Sequence, residues 1–186
     1  MLKNYRATFV GNRPLLFDRY AGDNNTKTTP EQKVYICPKG TLCIPVVNLY
    51  SCLAAEKTKS VAKRFYGKKW SDVATPIMTY VQMGPMHMPL KETVDGPPLT
   101  WDDCIESGKI LIEEHVARLD KGIPNPKVRP SLQLPWCLEV ELSIIQGMNS
   151  ISGEKMHQYL IEAGLIGLGT FRPIFGQFNV ESFTEV

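Results

Sequence analysis

Hydrophobic and polar residues alternate most regularly over residues 136–145. There Trp136, Leu138, Val140, Leu142 and Ile144 fall on one side and Glu139, Glu141 and Ser143 on the other. A period of two is that of a half-buried strand. Residues 5–10 alternate likewise, Tyr5, Ala7 and Phe9 against Arg6, Thr8 and Val10, and residues 15–17 resume a strand after Arg13-Pro14. Further strands are expected at 33–36, at 75–83 with Pro76 at the start, at 110–119, and through Phe178 and Val180. Helical spacing replaces alternation in two places. Pro45 suits the first position of a helix over 46–66, whose apolar stripe runs through Val46, Tyr50, Leu53, Ala54, Val61 and Phe65. Ser152 caps a second helix, with Glu154 in its first turn and a stripe of Met156, Tyr159, Leu160 and Ala163.

Three stretches interrupt these elements. Residues 22–32 are polar and turn-forming and read as a mobile loop. Residues 84–104 hold four prolines and two glycines and read as an irregular excursion outside the core. Residues 120–130 read as a proline-rich turn in which Lys127 and Arg129 flank Val128. With the excursions removed, the order is β-α-β-β-α-β. That order predicts an α+β fold, a ferredoxin-like or RRM-type antiparallel sheet with two helices on one face and loop insertions. The expected organisation is one domain over 1–186, with irregular insertions at about 20–33 and 84–104.

Composition changes this picture little, because an apolar fraction of 43% supports an ordinary core. Charge changes it more. The net charge is only +2, yet residues 51–70 carry Lys57, Lys59, Lys63, Arg64, Lys68 and Lys69 against Glu56 alone. Residues 139–186 reverse the balance, with six acids against Lys155 and Arg172. One basic stretch in a near-neutral protein points to a local anionic partner. The five cysteines are scattered and form no C-x-x-C pair, no apolar run reaches the ~18 residues of a membrane span, and no signal-peptide pattern opens the chain. The expectation is a cytoplasmic protein with reduced thiols, no membrane partner, no metal and no cofactor.

The candidate chemistry lies in AGLIGLGTFRPIFGQFNV, residues 163–180, which reads as helix, glycine-rich loop, strand. Gly164, Gly167, Gly169 and Gly176 surround Arg172. Glycines leave backbone N–H groups bare for a phosphate, and a guanidinium adds bidentate charge. The plainer reading is a tight turn that packs a helix on a sheet, with Arg172 paired to Glu139 or Glu141. On this plainer reading Phe171 and Phe175 pack in the core.

GLIGLGTFRPIFGQF, residues 164–178, resembles the C-terminal glycine-rich loop of the RAMP superfamily of CRISPR-associated proteins. ATFVGNRPLLFDRYAGDNN followed by GTLCIPVVNLYSCLAA is similar to the first strand, long polar loop and Ile-Pro helix start of effector-complex backbone subunits, with Ile44-Pro45 at the helix start. Val46-Val47-Asn48 stands where those subunits carry a small hydroxyl-rich run. The same pairing of features resembles small phage and prophage proteins. The resemblance implies binding of single-stranded RNA or DNA along its backbone, head-to-tail assembly into a homo-oligomer or filament, contacts with other effector subunits, and an antiviral context. On that reading the nucleic-acid-binding set is Arg13, Arg19, Lys57, Lys59, Lys63, Arg64, Lys68, Lys69, Gly167, Gly169, Arg172 and Gly176.

The catalytic set is empty. His87, His115 and His157 form no H-x-x-x-H or H-E-x-x-H pair, and no P-loop, Rossmann fingerprint or G-x-S-x-G occurs. RAMP endoribonucleases use a histidine near the first helix, and this chain has none before His87. Asp18 and Asp23 stand where some backbone subunits carry a cleaving aspartate. The expected function is therefore non-enzymatic single-strand binding. The alternatives are a RAMP-type endoribonuclease and a structural mimic that inhibits effector assembly.

Overall fold

The computed structural model describes residues 1–22, 27–56, 59–118, 122, 124–147 and 149–186. Alternation builds its main sheet. In β8 (Cys137–Ile145) the side chains of Leu138, Val140, Leu142 and Ile144 are buried, while Glu139, Glu141 and Ser143 take the other face. β1 (Leu2–Gly11) pairs antiparallel with β8 and sets Tyr5, Ala7 and Phe9 opposite Leu142, Val140 and Leu138. β4 (Val81–Gly84) flanks β8 and β9 (Phe178–Glu185) flanks β1, both antiparallel. The order is β4-β8-β1-β9. In chain order that is second, third, first and fourth, the ferredoxin-like arrangement.

Helices cover the apolar face. α1 (Val46–Ala54) buries Val46, Leu49, Cys52 and Leu53. α5 (Gly153–Ile166) buries Met156, Tyr159, Leu160 and Ala163, the stripe expected from its spacing. Ser152 Oγ caps α5 by accepting from Lys155 N at 3.2 Å. Each Leu or Ile removed from water here contributes about 1.5–3 kcal/mol. The opposite face of the sheet is polar: Arg6 meets Glu141 at 3.7 Å, and Lys91 meets Glu139 at 2.9 Å.

A second sheet, order β2-β7-β6, joins β2 (Leu15–Leu16), β7 (Pro124–Leu132) and β6 (Ile110–Arg118). A third pairs β3 (Cys43–Pro45) with β5 (His87–Pro89).

Four local expectations are corrected first. Residues 46–66 form two helices, α1 and α2 (Val61–Tyr66), because Ala55 is extended (φ −65°, ψ 135°) and Ser60 Oγ caps α2 from outside. Pro45 is the N-cap of α1 rather than its first residue, with an extended ψ of 138°. Residues 75–83 are mostly helix: α3 (Trp70–Tyr80) buries Val73, Ala74 and Ile77 and carries Pro76 inside it. That three- and four-residue apolar spacing outweighs the missing N–H of one proline. Residues 33–36 give a 3₁₀ turn (Glu31–Lys33) and a single bridge, Ile36 to Leu42. Of the 22–32 loop, residues 23–26 lie outside the described residues.

The other corrections concern prolines. The 84–104 stretch does not project: Met88 and Leu90 are fully buried, Leu90 N donates to Leu42 O at 2.9 Å, and α4 (Trp101–Glu106) follows. The 120–130 stretch supplies most of strand β7, whose Pro124 to Leu132 face Arg118 to Ile110 of β6. Pro124, Pro126 and Pro130 share one parity, and the Pro130 carbonyl accepts from Phe17 N, away from β6. Their missing N–H groups therefore cost the β6 ladder nothing.

Candidate nucleic-acid interface

The glycine-rich loop begins where α5 ends. Gly167 has φ +94° and its N–H returns to Ala163 O at 2.8 Å. Leu168 then plunges into the core, and its N–H closes the loop neck on Gly176 O at 2.9 Å. Gly176 (φ +75°) packs so tightly that a Cβ would run into the Leu168 carbonyl. Gly176 N donates to Pro14 O at 2.7 Å, Thr170 N to Leu16 O at 3.0 Å, and Gly169 N to Asn48 Oδ1 at 3.0 Å. The amides of Gly167, Gly169 and Gly176 are thus engaged within the fold, holding the loop against β2 and the first turn of α1.

The loop tip is what remains outward. Arg172 is half-buried, and its Nη1 donates to Gly167 O at 3.3 Å. Glu139 and Glu141 lie on the sheet's other face, paired to Lys91 and Arg6, so neither is the partner of Arg172. Burial pushes the Cys52 thiol up to about 12, with the nearby Arg172 charge pulling the other way. Phe171 has φ +58°, a left-handed conformation that an aromatic residue rarely adopts. Its ring lies 5.6 Å from His115 and 6.2 Å from Phe175, and Phe175 stands edge-on to His115 at 5.2 Å. Both phenylalanines are half-exposed, packed on the second sheet rather than in the core.

Beside these rings sits a charged cluster. Arg129 is only 4% exposed; its Nε donates to Asp18 Oδ2 at 2.9 Å and its Nη2 lies 2.8 Å from the same oxygen. Lys127 Nζ joins Asp18 at 3.6 Å, and Lys33 Nζ donates to the Val128 carbonyl. Burial lowers the Lys33 pKa, with Asp18 opposing. Sequence reading placed Lys127 and Arg129 in a turn and missed this grouping. The signal available was parity: in the β6–β7 register, Arg129 faces Glu113 and Lys127 faces His115.

The basic residues form two groups on different elements. Arg13 is exposed beside the loop, with its N–H on Gln177 O, and Arg19 is exposed with its N–H on Lys33 O. Lys59, Lys63, Arg64, Lys68 and Lys69 lie on or next to α2 and the 3₁₀ turn Gly67–Lys69. All of these but Lys63 are exposed, and Lys63 Nζ lies 4.2 Å over the Trp70 ring. Lys57 and Asp23 lie outside the described residues. The open face of the main sheet presents no aromatic side chain from β1 or β8, so it lacks the stacking platform of an RRM. Among the described residues, no three His, Cys, Asp or Glu side chains gather as a metal site, and no helix is long and apolar enough to cross a membrane.

Strand order and helix placement define a ferredoxin-like α+β protein with a glycine-rich loop between its last helix and last strand. No protein-family model and no curated protein sequence matches the chain. Among solved structures it is similar to a chain of the cryo-EM structure of the type III-B Cmr-beta bound to cognate target RNA, with a TM-score of 0.63 and 9% identity. The match covers all of this chain and 61% of that one. At this identity the likeness is one of fold alone.

Proposed function

We propose that this chain is a non-enzymatic protein that binds single-stranded RNA or DNA along its backbone and stacks head to tail on the strand, in a phage or CRISPR-related antiviral setting. The observation that carries the reading is the fold likeness, over the whole chain, to a component of an RNA-bound type III-B Cmr assembly. The surface supports it. Lys59, Arg64, Lys68 and Lys69 project into solvent from one basic knob, and Trp70 braces Lys63. Such a knob neutralises phosphates without reading sequence. Arg172 and Arg13 add two guanidiniums at the loop. Asp18 is held by Arg129 and Lys127, an arrangement that suits a structural carboxylate. Other effector subunits and further copies of the chain are the proposed protein partners.

The test is equilibrium binding to single-stranded RNA, single-stranded DNA and duplex, with size-exclusion of the same mixtures. The reading expects single strands to bind more tightly than duplex, and complex mass to rise in steps of one chain as the strand lengthens. Equal affinity for duplex, or no binding, contradicts it. Binding to effector subunits without nucleic acid supports the mimic instead.

A further inference from the structure

Three buried side-chain atoms among the described residues lack a hydrogen-bond partner: Glu162 Oε2 on α5, and His115 Nδ1 and Arg129 Nη1, which flank the Phe171 ring. Phe171 lies 5.6 Å from the His115 ring and 5.8 Å from Arg129 Cζ. Buried polar groups in native proteins are nearly always paired, so two orphans against one ring mark a seat that a polar partner can fill. The ring that covers them is itself strained, at φ +58° on a non-glycine residue.

The chemistry of the seat selects its occupant. The Arg129 charge is met by Asp18, which leaves one N–H arm free. His115 Nε2 lies 3.2 Å from Glu113 Oε2, so the neutral ring carries its proton on Nε2 and offers Nδ1 as an acceptor. The seat thus offers one donor, one acceptor, compensated charge and aromatic walls. A phosphate offers acceptors only and favours uncompensated cations. A nucleobase edge carries an acceptor beside an N–H donor and a planar face that stacks on rings.

We propose that the Phe171 ring is a lid that yields its place to one unstacked nucleobase. The base then packs against His115 and Phe175, accepts from Arg129 Nη1 and donates to His115 Nδ1. The proposal rests on the single-strand reading above.

The test compares the affinity of an oligouridylate with that of an abasic strand of the same length and phosphate count. For the native protein the ratio is expected to be about tenfold or more in favour of bases. His115→Phe keeps a ring but loses Nδ1, and lowers the ratio. Phe171→Gly removes the competing ring and suits the left-handed backbone, and raises the ratio. Thermal melting establishes that both variants fold. A native ratio near one overturns the seat while leaving backbone binding intact. Both variants lowering the ratio makes Phe171 a stacking residue and overturns the lid. Equal weakening of both strands by His115→Phe means a phosphate contact and overturns the base. If neither strand binds the native protein, the single-strand reading fails and the seat with it.

Discussion

Replacing Arg172 by alanine separates a binding role from a structural one. Its hydrogen bond to Gly167 O is long, at 3.3 Å, and is made to a neutral carbonyl. Among the described residues no carboxylate lies within ion-pair distance of it. Losing such a bond costs about 0.5–1.5 kcal/mol. For a chain of this size each kcal/mol moves the melting temperature by ~2–4 °C, so a fall of no more than about 6 °C is expected. A charge-assisted contact to a phosphate contributes about 1.5–3 kcal/mol, so single-strand affinity should drop at least tenfold. Arg172→Lys should restore only part of it, since a point charge replaces a planar fork. Melting and fluorescence anisotropy on the same preparation read both effects. A large fall in melting temperature with undiminished affinity per folded molecule would refute the binding role.

Three further outcomes follow from the geometry. Gly176→Ala forces a left-handed alanine into the Leu168 carbonyl, so it should cost more than the roughly 1–2 kcal/mol of the backbone conformation alone, read as lost thermal stability. Asp18→Ala leaves Arg129 charged and 4% exposed without its partner, which should cost about 3–5 kcal/mol, at least ~6 °C of melting temperature; an unchanged melt would contradict the buried pair. Thiol labelling should rank the cysteines. Burial raises the Cys37 thiol, but the Thr41 hydroxyl, backbone N–H groups and Lys39 bring it net below its ordinary value. Burial pushes Cys43 to about 11 and Cys52 to about 12. Since only the thiolate reacts, Cys37 should be alkylated at the lowest pH, and native Cys52 should stay unlabelled at mildly alkaline pH by mass spectrometry.

Elements whose own periodicity matches their environment were legible in the sequence. β8 and β1 alternate because one face is covered and the other is polar, and α5 carries a cap and a stripe that agree. These fix the ferredoxin-like order. The break between α1 and α2 was hidden because Val61 and Ala62 continue an apolar pattern across a six-residue interruption capped by Ser60. β7 was hidden because proline content signals a turn, whereas here shared parity lets the prolines sit on one strand edge. The loop's glycines were legible as a special backbone, but which partners its N–H groups would take depends on Pro14, Leu16 and Asn48, all far away in sequence. The His115, Phe171 and Phe175 ring cluster joins β6 to the loop through tertiary packing alone.

A surface that neutralises the phosphates of a single strand makes RNA affinity depend on salt. Each phosphate contact contributes a slope of about −0.7 in log affinity against log salt. The native protein should therefore lose affinity steeply between low and moderate ionic strength. Lys59, Lys63 and Lys68 replaced together by alanine should flatten the slope by about 2, in keeping with three lost contacts. An affinity indifferent to salt, or a slope unchanged in the triple variant, would contradict the account.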